Sequence, residues 1–259
     1  MHYGERRWVE MGDLADKVVV LPLGSMEQHG HHLPLLTDSL ICGEIIRRAA
    51  EELGDEAHFL PLIWVGASEH HTRFRGTVTV SQDTYTRMLD EILESLINNG
   101  LKRILLLNAH GGNALPGQAA LYKAQMRHRD ERDLWLVFAT WFSLAAPQIA
   151  AIPGLEQDHI THASELETSM ILRLRPELVD LDAAKGAIVP FESAFYCPDS
   201  RGGSRVSVAR PIEHVSVTGA YGHPELATVE KGEALFAAAT AEVVACVREI
   251  AQWEAFDPQ

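Results

Sequence analysis

Cysteine is scarce in this chain: three in 259 residues, Cys42, Cys197 and Cys246, with no Cys-x-x-Cys pair. So odd and scattered a set gives no disulfide framework and no thiolate zinc site, and it suits a reducing compartment. Buried, inert thiols are the expectation. Basic residues are few as well. Only 22 lysines and arginines stand against 36 aspartates and glutamates, a formal charge of -14. Nucleic-acid surfaces need a basic stripe, so no nucleic-acid partner is expected. No apolar run approaches the roughly 20 residues that span a bilayer, and no membrane partner is expected either. Residues 1–16 mix charges with apolar side chains, unlike a secretory leader, which points to the cytoplasm. The remainder is ordinary: 46% hydrophobic and 22% charged, enough apolar content to build a core.

Strand-like and helix-like patterns alternate along the chain. Residues 17–23 read as a buried strand, 38–53 as a helix and 58–65 as the next strand. A helix over 81–99 carries the stripe Tyr85, Met88, Leu89, Ile92, Leu93, Leu96 and Ile97, with Ser81 as its cap and Gly100 as its stop. Strands at 102–107 and 134–140 flank a helix near 115–129. A short helix at 166–174 and a long alanine-rich one at 225–253 follow. This order implies an α/β fold, a largely parallel sheet covered by helices on both faces, read as one domain over 1–259. Ligands of such sheets bind beyond the carboxyl ends of the strands. Residues 182–222, rich in Gly, Pro, Ser and Arg, read as a long excursion lining the site or a subunit contact.

Three segments carry chemistry. Glu27-Gln28-His29 follows the first strand, with Asp38 nine residues on. Carboxylates supply charge and imidazole supplies direction, which suits a divalent cation. If Gly30 and Pro34 turn the chain back, Asp38 can bridge two ions. His110 follows the strand at 102–107, and Gly111 and Gly112 allow a sharp turn; it is either a metal ligand or a histidine satisfying that turn. Asn108 and Asn113 are expected to hold the loop. The third segment is His162-Ala163-Ser164-Glu165-Leu166-Glu167 at a helix start. The helix dipole accounts for one of its glutamates, but not readily for two beside a histidine.

Taken together, Gly24-Ser25-Met26-Glu27-Gln28-His29-Gly30 with Thr37-Asp38, Asn108-Ala109-His110-Gly111-Gly112-Asn113, and His162 through Ser169 resemble the creatininase (creatinine amidohydrolase) family. The similarity runs in order over nearly the whole chain. The resemblance implies a three-layer α/β/α sandwich, two divalent metal ions per subunit, hydrolysis of an amide-type C–N bond and a homo-oligomer, commonly a hexamer. By the same resemblance Glu27 and His110 hold one ion, His29 the other, and Asp38 bridges them. Creatininase has a glutamate where Gly112 stands, so Glu165 is expected to complete the second site. His162 corresponds to the family's catalytic histidine, and Glu167 is expected to handle a proton. Zn²⁺, Mn²⁺ and Fe²⁺ all suit such ligands.

The substrate side departs from creatininase. A gating tryptophan there is replaced by Asp158, whereas Trp141 matches a second tryptophan of the pocket. Asp158, Trp141 and His70 are the expected substrate contacts, and creatinine is not the expected substrate. Proteins sharing these motifs deformylate a pyrimidine precursor, open a keto-inositol ring or trim a modified peptide. The expectation is a metal-dependent amidohydrolase acting on a small non-peptide or cyclic compound. The alternatives are a peptide-trimming maturation factor, a ring-opening hydrolase and a ligand-binding protein with structural metals.

Overall fold

Successive side chains of a strand point to opposite faces, and the two central strands use both. In β1 (Val18–Leu23) and β3 (Arg103–Asn108), Val18, Val20, Leu105 and Leu107 enter one core. Val19, Leu21, Leu23, Ile104 and Leu106 enter the other. The computed structural model describes residues 2–14, 16–157, 161–187, 191–196 and 204–256. With β2 (Ala57–Phe59) and β4 (Trp135–Thr140) these strands form a parallel four-stranded sheet in the order β2-β1-β3-β4.

The first core is covered by α1 (Thr37–Leu53), α6 (Glu165–Leu174) and α7 (Val229–Ile250). The second is covered by α2 (Gln82–Asn98) and α3 (Ala114–Arg127). Two short helices, α4 (Trp141–Leu144) and α5 (Ala146–Ala150), follow β4 on the first side. The three-layer α/β/α sandwich is therefore observed. The Ser81 hydroxyl accepts from Thr84 N–H at 3.2 Å and starts α2, as its sequence position predicts.

Two elements are shorter than the pattern suggests. The second strand ends at Phe59, because Pro61 lacks an amide hydrogen for the ladder. The chain still hugs β1: Leu60 N–H donates to Val20 O and Ile63 N–H to Pro22 O. The last helix begins at Val229 instead of 225, since Pro224–Leu226 forms a separate turn and Thr228 caps α7. Cys42 is buried, and burial pushes its thiol up to about 12, the inert state expected of it. Cys246 is half-buried, and Cys197 lies outside the described residues. No described helix is long and apolar enough to cross a membrane.

The chain leaves β1 toward β2 on one side and β3 toward β4 on the other. In open α/β sheets the crevice at such a reversal is where ligands bind. Leu23 and Asn108 end β1 and β3 side by side. Both signature loops start from this point.

Candidate metal centre

Glu27 N–H donates to Leu35 O, so the loop after β1 doubles back through Gly30, which has φ +67°, and brings Asp38 at the start of α1 beside Glu27. From β3, Asn108 fixes the other wall. Its amide donates to His110 O at 2.7 Å, and its carbonyl accepts from His110 N–H at 3.1 Å. Asn113 ties the same loop to Gly24 O and Ala67 N–H, both at 2.9 Å. Both asparagines thus hold backbone, as expected.

Four buried side chains meet there. Asp38 Oδ1 lies 3.1 Å from His29 Nε2, and its Oδ2 lies 3.1 Å from His110 Nδ1. Glu27 Oε2 lies 3.2 Å from His110 Nε2. Ser25 donates its hydroxyl hydrogen to Asp38 Oδ2 at 2.6 Å. Glu167 enters from α6 with Oε1 3.9 Å from His29 Nε2, while its Oε2 accepts from Ala163 N–H. Ala163 has φ +51°, a conformation that costs a non-glycine residue energy, and it turns the chain between His162 and α6.

His162 is also at the site. Its Nε2 lies 2.8 Å from Gln28 O, its Nδ1 lies 3.9 Å from Glu27 Oε1, and its ring centroid is 4.3 Å from that of His29. Trp141 is buried and lines the cavity, as does His70, which stacks on His110 at 5.5 Å. Asp158 lies outside the described residues.

Glu165 is not part of this group. Its carboxylate accepts from Lys231 Nζ at 2.5 Å and from Gln157 N–H at 2.7 Å, fully buried between α6 and α7. Two residues along a helix is more than half a turn, so Glu165 and Glu167 face opposite ways. Of the two, Glu167 faces His29 and Glu165 faces Lys231.

From sequence, His71 is open to two roles, a polar contact at the substrate or a surface-loop residue. It is buried, with Nε2 3.1 Å from Glu27 Oε1 and Nδ1 2.8 Å from the Gln28 amide nitrogen. The signal was the pair His70-His71 itself, read at its first member.

Burial favours neutral groups, and here it competes with charge. It would raise Glu27, but His110 and His71 outweigh it and hold the carboxyl below its usual value. Burial opposes charge on His29 and His110. Asp38 nevertheless takes His29 up to about 9, and Glu27 with Asp38 takes His110 up to about 10. Burial, aided by His29, lowers His162 to about 3; burial also lowers His71. Burial raises Glu167 to about 7. What the cluster needs is positive charge.

Divalent ions fit that need. Both Glu27 oxygens are buried, and among the described residues only the rings of His71 and His110 come within hydrogen-bonding distance, at 3.1 and 3.2 Å, which leaves the anion poorly compensated. Bonds of about 2.0–2.2 Å to one ion place neighbouring donors about 3.0–3.6 Å apart, the spacing of the two Asp38 oxygens from His29 Nε2 and His110 Nδ1; Glu27 lies 3.2 Å from the other ring nitrogen of His110, Nε2. Among the described residues three groups have possible ligand atoms within 4.8 Å of one another: Glu27, Asp38 and His110; His29, His162 and Glu167; and Glu27, His71 and His162. Beside them opens a cavity of about 250 Å³.

Residues 4–247 match the family model for creatininase, creatinine amidohydrolase. The mycofactocin precursor peptide peptidase of Mycobacterium tuberculosis is 33% identical over 248 residues, covering 91% of this chain and 85% of that protein. The creatinine amidohydrolase of Pseudomonas putida is 30% identical over 193 residues, covering 69% and 74%. A solved manganese form of creatininase superposes with a TM-score of 0.77 at 26% identity, covering 96% of this chain and 97% of the other.

Proposed function

This chain belongs to the creatininase family of hydrolases, and from that membership we propose that it is a metal-dependent enzyme cleaving an amide-type C–N bond of a small non-peptide or cyclic substrate. One observation carries the reading: the two oxygens of Asp38 each stand 3.1 Å from a different imidazole, His29 and His110. A carboxylate so placed is suited to bridging two cations. Glu27 and His110 would hold the first ion. His29 and Glu167 would hold the second.

A pair of divalent cations supplies Lewis acidity and makes water ionisable near neutral pH. The chain's own residues supply the proton handling. Gln28 O receives the Nε2–H of His162, which leaves Nδ1 unprotonated, and burial keeps the ring neutral at pH 7. Nδ1 is thus free to accept a proton from the attacking water and pass it to the departing nitrogen, provided that the Glu27 carboxylate 3.9 Å away offsets the burial that disfavours the charged ring. The Gln28 amide donates to Gly219 O at 3.1 Å and to His71 Nδ1, so His71 keeps its hydrogen on Nε2, toward Glu27. Trp141 and His70 line the cavity and would exclude water around the substrate.

Protein reconstituted with Zn²⁺, Mn²⁺ or Fe²⁺ should hydrolyse members of a panel of formamides, lactams and cyclic ureas. His162→Ala should lower turnover about a hundredfold while keeping its ions. Full activity in that variant would remove His162 from the mechanism. The 33% identity with a peptide peptidase, over 91% of this chain, favours a second reading in which the end of a short peptide occupies the cavity. Turnover of short peptides added to the panel, with none of its small amides, would select it. No hydrolysis by protein holding two ions per chain would exclude both. The hexamer implied by the resemblance belongs to the same proposal. Sedimentation should show six times the 28.6 kDa chain mass.

A further inference from the structure

The walls of the cavity are unlike its floor. Residues of the excursion, Tyr196, Val208, Arg210 and Ile212, line it together with Trp141 and Phe142 of α4. Apart from the histidines, Arg210 is the one basic side chain among the lining residues. Among the described residues it has no hydrogen-bond or ion-pair partner. Glu213, three positions on, leaves its own Oε2 buried without a hydrogen-bond partner among them, so the two do not neutralise each other. Arg210 is exposed, so its guanidinium is open to a ligand entering the cavity. About 250 Å³ in a cavity open to solvent accommodates a ring and its substituents, or the end of a longer chain.

We propose that Arg210 receives a carboxylate of the substrate while the substrate's apolar or aromatic body lies against Trp141, Phe142 and Tyr196. The proposal rests on the reading of this cavity as the substrate site. A guanidinium presents a planar fork of donors that matches a carboxylate in two parallel hydrogen bonds. Aromatic walls favour a flat or apolar body. A free small acid and the terminal carboxylate of a short peptide share this chemistry.

Calorimetric titration of zinc-reconstituted protein separates the sources. One pair of probes is N-formyl-phenylalanine and its carboxamide. The other is an acetylated tripeptide ending in phenylalanine, with a free or an amidated end. The free acid of at least one pair should bind roughly 10- to 100-fold tighter than its amide, the range for a charge-assisted hydrogen-bonded contact. Arg210→Gln should abolish that preference with the zinc content unchanged. The pair that shows the preference identifies the source. Equal binding of acid and amide in both pairs, absence of binding by all four probes, or a preference that survives Arg210→Gln would each overturn the proposal. In the last case the carboxylate is held by zinc instead. Binding needs no turnover, so a preference without hydrolysis of the panel leaves this proposal standing and removes the hydrolase reading alone.

Discussion

On a helix that turns about 100° per residue, positions 165 and 167 of α6 lie about 200° apart. One carboxylate looks into the metal centre and the other into the seam with α7. Their removal should have opposite signatures. Glu167→Gln should lose one equivalent of metal by elemental analysis with little change in unfolding free energy of the apo-protein. Glu165→Gln should keep both equivalents but lose about 3–5 kcal/mol in denaturant titration, because Lys231 is left as a buried charge without its partner. The reverse pattern would restore Glu165 to the centre. Gly112 explains why a glutamate is absent there: a Cβ would sit 2.2 Å from Ala67 O and 2.5 Å from His110 Nε2. Gly112→Ala should displace the His110 ring, costing metal content and at least tenfold in activity; unchanged metal content would show that the ring has room to move. Asp38 and His110 were legible because their segments place them at strand or helix ends. His71 was not. Which of two adjacent histidines in a tight turn faces inward depends on Glu27 and Gln28, more than forty residues away in sequence.

At the scale of elements, the packing of α6 on α7 decides how firmly Glu167 is held. The helices meet at Gly232, where a Cβ would lie 2.0 Å from Ser169 O, and Thr228 N–H donates to Ser169 Oγ at 3.1 Å. Gly232→Val should force the helices apart and cost about 1–3 kcal/mol in chemical denaturation, as overpacking does. A variant as stable as the parent would mean that the helices slide freely. Helices with a single apolar stripe and a cap, such as α2, could be read from sequence because spacing and Ser81 agree. The excursion could not. Its contacts include backbone bonds to partners distant in sequence, such as Tyr221 N–H to His162 O and Ala187 N–H to Ala220 O, and no periodicity records them.

The molecule as a whole hangs on one sheet with helices on both faces, and its central strands supply both signature loops. Everything that fixes β1 therefore acts on the metal centre, including the edge strand β2. His58 sits buried in the middle of β2, opposite Val19. Burial, helped by the charge of Arg6, lowers its imidazole to about 4, and its Nδ1 finds no hydrogen-bond partner among the described residues. In the unfolded chain the same ring titrates near 6.5. Between pH 6.5 and 4 the unfolded state thus binds a proton that the folded state refuses. Stability from this group is complete above pH 6.5 and falls as pH drops toward 4, by at most about 1.4 kcal/mol per pH unit for one proton. Urea titrations of the apo-protein across this window should show a shallower acid slope for His58→Leu than for the parent. Identical slopes would mean that the proton is taken up elsewhere and that β2 is not the acid-sensitive edge of the sheet.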